Sequence, residues 1–90
     1  MNNKRRKLLS GTIDLLSGAQ TSLEGAKSYI ESARDEEQEC LDNLPEGIQC
    51  GERGDTMQEV IDSLEEIISE LEDISDAITE QIEALQEVIL

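Results

Sequence analysis

The feature that most constrains this chain is a helical stripe running from Thr56 to Leu90. In a seven-residue frame begun at Met57, the first positions are Met57, Leu64, Leu71, Ile78 and Leu85. The fourth are Val60, Ile67, Ile74, Gln81 and Val88, and the fifth are Ile61, Ile68, Ser75, Ile82 and Ile89. Apolar residues at this period form one continuous helix face, and no Gly, Pro or basic residue interrupts the run. An all-α fold follows from this segment alone.

A second heptad pattern occupies the first half of the chain. Its first positions are Leu9, Leu16, Leu23 and Ile30. Gly11, Gly18, Gly25 and Ser32 take the third positions, and Thr12, Ala19, Ala26 and Ala33 the fourth. The result is an internal repeat, LSG-LSG-LEG-IES, one copy per heptad. A glycine inside a soluble helix costs about 1 kcal/mol relative to alanine. Two adjoining stripes of small residues are expected to let another backbone approach closely. The alternative is a weak helix that frays.

Between the two patterns lie Asn43-Leu44-Pro45-Glu46-Gly47 and Gly51-Glu52-Arg53-Gly54. Pro45 stops the first helix, because the residue before a proline avoids helical geometry. One short turn is expected over Pro45 to Gln49, with Ile48 tucked beneath the connection. Asp55 or Thr56 is expected to cap the second helix, and Thr56-Met57-Gln58-Glu59 fits a capping box.

These signals predict a polar, basic lead over residues 1–7, a helix over 8–43, a connection over 44–54 and a helix over 55–89. Helices of about 35 residues joined by about ten residues fold back as an antiparallel hairpin. That geometry sets Lys4, Arg5, Arg6 and Lys7 near Glu83, Glu87 and the terminal carboxylate, where their charge is favourable. A two-helix hairpin buries little, so self-association is expected. The three-position stripe is wider than a two-stranded seam needs, which points to a dimer of hairpins forming a four-helix bundle. Its expected core is Leu16, Leu23, Ile30, Leu64, Ile67, Leu71, Ile74 and Ile78.

Composition narrows function mainly by exclusion. With 22 acidic and 7 basic residues the formal charge is −15, so nucleic-acid phosphates and anionic membranes are disfavoured as direct ligands. Tyr29 is the one aromatic residue, leaving no platform on which bases could stack. The absence of His removes the commonest general base and metal ligand, and no catalytic residue, metal site or cofactor is expected. Cys40 and Cys50 are too few for a disulfide framework; two free thiols in a reducing, cytoplasmic setting are expected. Cys40 falls at a fourth, core-facing position if the frame of the first helix continues. A signal peptide is not expected, since Asp14 and Ser10-Gly11-Thr12 break the apolar run after the basic cluster. No stretch reaches the length of a membrane span. Arg53-Gly54-Asp55 spells an integrin-type tripeptide, but Asp55 already has a use at a helix start.

The most pointed feature is on the other side of the second helix. Glu59, Asp62, Glu66, Ser69, Asp73, Asp76, Glu80, Glu83 and Glu87 hold the third and sixth heptad positions, and eight of these nine are acidic. They alternate three and four apart, giving one stripe with a carboxylate about every 5 Å. Such a surface can imitate a phosphate backbone for a basic groove. It can equally be the solvated face of an acidic bundle. An ordinary bundle alternates charge signs along a helix, and this stripe carries no lysine.

Three runs, Asp35-Glu36-Glu37-Gln38-Glu39, Leu41-Asp42-Asn43-Leu44-Pro45-Glu46 and Glu52-Arg53-Gly54, together with Met57-Gln58-Glu59-Val60-Ile61-Asp62-Ser63-Leu64-Glu65, resemble a known group. The group is the short, acidic, helical proteins encoded by phages and mobile elements of Gram-positive bacteria. The resemblance covers roughly residues 30–85 and rests partly on low-complexity helix. It implies the cytoplasm of an infected cell and carries over no catalytic residue. The expectation is an inhibitor of a host nucleic-acid-binding effector, such as a CRISPR nuclease or restriction enzyme. Glu59, Asp62, Glu66, Asp73, Asp76, Glu80 and Glu83 would engage the basic surface of that host protein. The alternatives are a scaffold oligomer with a solvated acid face, or a sponge for a signalling nucleotide.

Overall fold

The computed structural model describes residues 1–90 and is all-α. Helix α1 spans Asn3–Asp42, a single helical turn α2 spans Glu46–Gln49, and α3 spans Glu52–Ile89. No helix is long and apolar enough to cross a membrane.

Helix α1 begins five residues ahead of the expected Leu8, taking in the basic lead. Asn2 explains the early start. Its Oδ1 accepts from the Arg5 N–H at 2.9 Å, satisfying one of the helix's free amide donors, and its carbonyl accepts the first i→i−4 bond, from the Arg6 N–H at 3.1 Å. Lys4, Arg5, Arg6 and Lys7 are all exposed and form no ion pair, so the expected pairing with Glu83 and Glu87 is absent.

Helix α1 stops before Pro45, as proline sterics require. Pro45 then caps α2 with φ −55° and ψ 143°. Its carbonyl accepts from the Ile48 and Gln49 N–H groups at 2.8 and 3.0 Å. Ile48 is not tucked away; it is 42% exposed. The inward residue is Gln49, half-buried, whose Nε2 donates to the carbonyls of Asp42 at 3.0 Å and Leu44 at 2.8 Å. The Asp42 carbonyl ends α1 and the Leu44 carbonyl follows it, and neither accepts a backbone N–H.

Helix α3 also starts early, at Glu52, so Thr56 is not its cap. Thr56 lies inside the helix and donates its hydroxyl to the Glu52 carbonyl at 3.0 Å. The start is made possible by Gly54, which is buried against the backbone of Gln49. A Cβ at residue 54 would stand 2.6 Å from the Gln49 carbonyl carbon, which no side chain tolerates. Glycine here is a requirement of close backbone approach.

Two compact units divide the chain. One is Ala26–Glu70 and contains the connection. It holds the buried apolar side chains of the protein, Leu41, Ile61 and Ile68, of which Ile61 at 1% exposure is the one fully enclosed. Around them Met57, Leu64, Ile30 and Leu44 are half-buried, as are Lys27, Arg34 and Glu37. Long charged side chains at such places can cover apolar neighbours with their stems while keeping their heads wet. Arg34 reaches Asp35 at 3.1 Å.

The other unit joins Met1–Gly25 with Leu71–Leu90. Here Leu9, Ile13, Leu16, Gln20 and Leu23 are half-buried on α1, and Leu71, Ser75, Ile78, Ile82, Leu85 and Ile89 on α3. Gln20 links the two segments. Its Nε2 donates to the Ser75 carbonyl at 2.9 Å and to the Thr79 hydroxyl at 2.6 Å.

Both long helices therefore turn inward the residues at their first and fifth heptad positions, four and three apart in alternation. The expected fourth positions are not part of this seam. Val60, Ile67, Ile74 and Val88 are 42–54% exposed. Thr12, Ala19, Ala26, Ala33 and Cys40 are exposed on α1, so Cys40 does not face a core. At about 100° per residue, first and fifth positions lie about 40° apart, whereas a fourth position sits about 80° off their midline. Of the expected core, Leu16, Leu23, Ile30, Leu64, Leu71 and Ile78 are half-buried, while Ile67 and Ile74 are turned outward. The small-residue row is open as well. A Cβ at Gly11, Gly18 or Gly25 would meet nothing within 4 Å.

Candidate partner-binding face

The acidic stripe is a consequence of the seam. With the first and fifth positions of α3 turned inward, its third positions stand about 180° from the seam and its sixth about 120°. Glu59, Glu66, Asp73, Glu80 and Glu87 occupy the former, and Asp62, Asp76 and Glu83 the latter, with Ser69 the neutral member. All are exposed. None takes part in an ion pair within the chain, and Asp62 alone among them accepts a side-chain hydrogen bond, from Gln58 Nε2 at 2.9 Å. The seven residues expected to bind a partner thus share the outward side of one helix. Glu59, Asp62 and Glu66 belong to the unit with the connection; Asp73, Asp76, Glu80 and Glu83 belong to the other.

What such a surface can do chemically is limited and definite. Carboxylates spaced about 5 Å along a rigid helix present acceptors without donors. Arg and Lys side chains of a partner would make charge-assisted bonds to them. Side-chain entropy and solvent screening keep each exposed pair weak, so affinity would come from many pairs acting together. The like charges also repel one another within the helix, which costs the isolated fold stability.

No pocket is present on the surface, and no group of three carboxylates or thiols converges in a metal-binding arrangement. Cys40 and Cys50 are free and exposed.

Four structurally important residues escaped the sequence reading. Gln20 and Gln49 looked like ordinary polar positions, and Asn2 lay in the presumed lead. The signal for Gln20 was available: it falls in the four-three series Leu9, Ile13, Leu16, Gln20, Leu23. Gly54 sits in a stretch that spells a loop breaker, and nothing local in the sequence distinguishes it from Gly51.

Comparison with known protein families, curated proteins and solved structures finds no match to this chain.

Proposed function

We propose that this chain acts by binding and assembly, as a phage-type inhibitor that docks its acidic stripe into the basic groove of a host nucleic-acid-binding effector. A CRISPR nuclease or a restriction enzyme is the class of target whose groove fits. In this reading the chain is an antiparallel hairpin of α1 and α3, self-associated into a four-helix bundle, working in the host cytoplasm. Supporting the hairpin are the matched four-three series on both helices and the Gln20 link to Ser75 and Thr79.

The observation that carries the proposal is the uniformity of the stripe: eight acidic residues in nine outward positions, all exposed and without intrachain cations. Charge repulsion of this kind weakens the free protein, and a basic partner relieves it. The chain would exclude nucleic acid by occupying the groove, with no catalytic step of its own.

The test is inhibition of DNA cleavage by a purified effector with a basic channel. Charge reversal at Glu66, Asp73 and Glu80 to Lys should abolish inhibition while circular dichroism stays helical. Affinity for the effector should drop about tenfold or more as salt screens the pairs. Undiminished inhibition by the reversed variant would remove the stripe as the site. A scaffold role is favoured by a different observation, the aliphatic row left exposed on α3. In that case neutralising the stripe raises stability and alters no interaction.

A further inference from the structure

We infer that the first turns of α1 dock on the surface of an anionic phospholipid bilayer, with Lys4, Arg5 and Lys7 at the headgroup phosphates and Leu8 and Leu15 in the acyl boundary. This surface lies wholly within the unit formed by Met1–Gly25 and Leu71–Leu90, and its use is independent of the acidic docking proposed above.

Charge is segregated along the sequence. Lys4, Arg5, Arg6 and Lys7 are four of the seven basic residues, and Asp14 is the one acid among the first 23 residues. The net charge of −15 disfavours a membrane for the chain as a whole, but that charge belongs to the rest of the sequence. The basic turn also lies beyond the covered part of α1. Leu9 and Ile13 are half-buried in the seam, whereas Arg6, at the same fifth position one heptad before Ile13, is exposed. Lys4, Arg5 and Lys7 are exposed too, and none of the four is in an ion pair. Their long stems let all the charged heads turn toward one surface.

The seventh heptad position of α1 continues from this turn. It stands about 140° from the midline of the seam, on the outward side. Leu8 is 64% and Leu15 79% exposed there, and Met1, just ahead of the helix, is 52% exposed. Their neighbours at third and fourth positions are Lys4 and Arg5, then Gly11 and Thr12, then Gly18 and Ala19. No carboxylate interrupts that face. The α3 segment of the same unit is the opposite, with Asp73, Asp76, Glu80, Glu83 and Glu87 all exposed. Cations beside aliphatic side chains on one outward face are what a helix lying in a membrane interface requires.

One partner has to serve both parts of this surface. A nucleic-acid backbone, or the acidic stripe of another copy, would take the cations and leave Leu8 and Leu15 in water. A purely apolar groove would strand four charges. An anionic bilayer offers phosphates at its surface and hydrocarbon about 5–10 Å beneath them. The acidic stripe does not prevent this approach. It stands opposite the seam on α3, so two helix thicknesses, about 20 Å, separate it from the docked face, more than twice the Debye length of about 8 Å at physiological salt. Helix α1 lies along the bilayer, since no helix is long and apolar enough to cross one.

The test is flotation of the full chain with vesicles of phosphatidylcholine, with and without phosphatidylglycerol. The chain should float with the anionic vesicles and not with the neutral ones, and binding should fall as salt rises. Changing Lys4, Arg5, Arg6 and Lys7 to Gln should cost about fivefold in affinity for each cation removed. The double change Leu8→Gln, Leu15→Gln should cost about tenfold or more. Circular dichroism should stay helical in both variants, because every changed side chain is exposed in the free protein. The chain has no Trp, so Leu15→Trp is a single depth probe. Its emission should shift to the blue on anionic vesicles and be quenched by brominated lipid, whereas Glu80→Trp, on the stripe, should show neither. No flotation with anionic vesicles at low salt, undiminished flotation of the leucine variant, or equal quenching at both Trp positions overturns the inference. Tighter binding to a single-stranded oligonucleotide than to anionic vesicles, lost in the Gln variant, assigns the cations to a phosphate polymer and overturns it as well.

Discussion

Replacing Gly11, Gly18 and Gly25 by alanine should stabilise this protein substantially. Each lies within α1 at a position where an added Cβ meets nothing within 4 Å. Alanine is favoured over glycine in a helix interior by about 0.8–1.0 kcal/mol. The sites are seven residues, or about 10 Å, apart along the helix, so their effects should add to roughly 2–3 kcal/mol. For a domain of this size that corresponds to a rise of about 10–20 °C in Tm. Gly54→Ala is the matched control. It has the same gain in intrinsic propensity, but its Cβ collides with the Gln49 backbone, and a net loss of about 1–3 kcal/mol is expected. Urea titration followed by circular dichroism measures both. If the triple variant is instead destabilised, the glycine row packs against another backbone in solution rather than lying open to solvent.

Three further outcomes follow from the seam. Ile61→Ala should cost about 2–5 kcal/mol, since that side chain is fully enclosed, while Ile67→Ala in dilute protein should cost under about 1 kcal/mol; equal losses would refute the assignment of first and fifth positions to the interior. Gln20→Ala should lose about 0.5–1.5 kcal/mol through its two donated bonds, the Thr79 hydroxyl still donating to the Ser75 carbonyl at 3.2 Å. Gln20→Leu should recover much of that but broaden the thermal transition as register slips, and an equally sharp melt would show that Gln20 does not set the pairing. Raising salt should increase the Tm of the free protein, because the net charge of −15 is self-repulsive, and a falling Tm would contradict the exposed, unpaired stripe.

The helical nature of the chain was fully legible from sequence, because aliphatic residues at heptad spacing have few other ways to be buried. Which two of the three apolar positions face inward was not. Val60, Ile67, Ile74 and Val88 are as hydrophobic as Ile61, Ile68 and Ile82, so composition cannot separate a seam from its flank. The deciding information lies on α1, where Leu9, Ile13, Leu16 and Leu23 hold the first and fifth positions and the fourth carry only Thr or Ala. Polar residues at Gln20, Lys27, Arg34 and Glu37 disguise that series. Helix starts were misplaced for a similar reason. Thr56-Met57-Gln58-Glu59 has every local feature of a capping box, yet the helix passes through it because Gly54 lets the chain pack tightly onto Gln49 one turn earlier. The acidic stripe, in contrast, was readable residue by residue. Its exposure depends only on being opposite the seam, and either choice of inward positions leaves it outside.

That robustness bears on how the three faces of α3 divide their work. The seam residues Met57, Ile61, Leu64 and Ile68 could hardly change without loss of the fold. The stripe residues make no contact that the fold needs, and their mutual repulsion acts against it. The aliphatic row between them has the opposite character: Val60, Ile67, Ile74 and Val88 are exposed at a cost in hydration. Salt separates the two uses, since screening weakens attraction between carboxylates and a basic groove and weakens repulsion between two acidic copies. A protein in which self-association rises with salt while partner binding falls would have both faces at work on a single helix. If both fall together, the row and the stripe serve one interface, and the two cannot be assigned to separate partners.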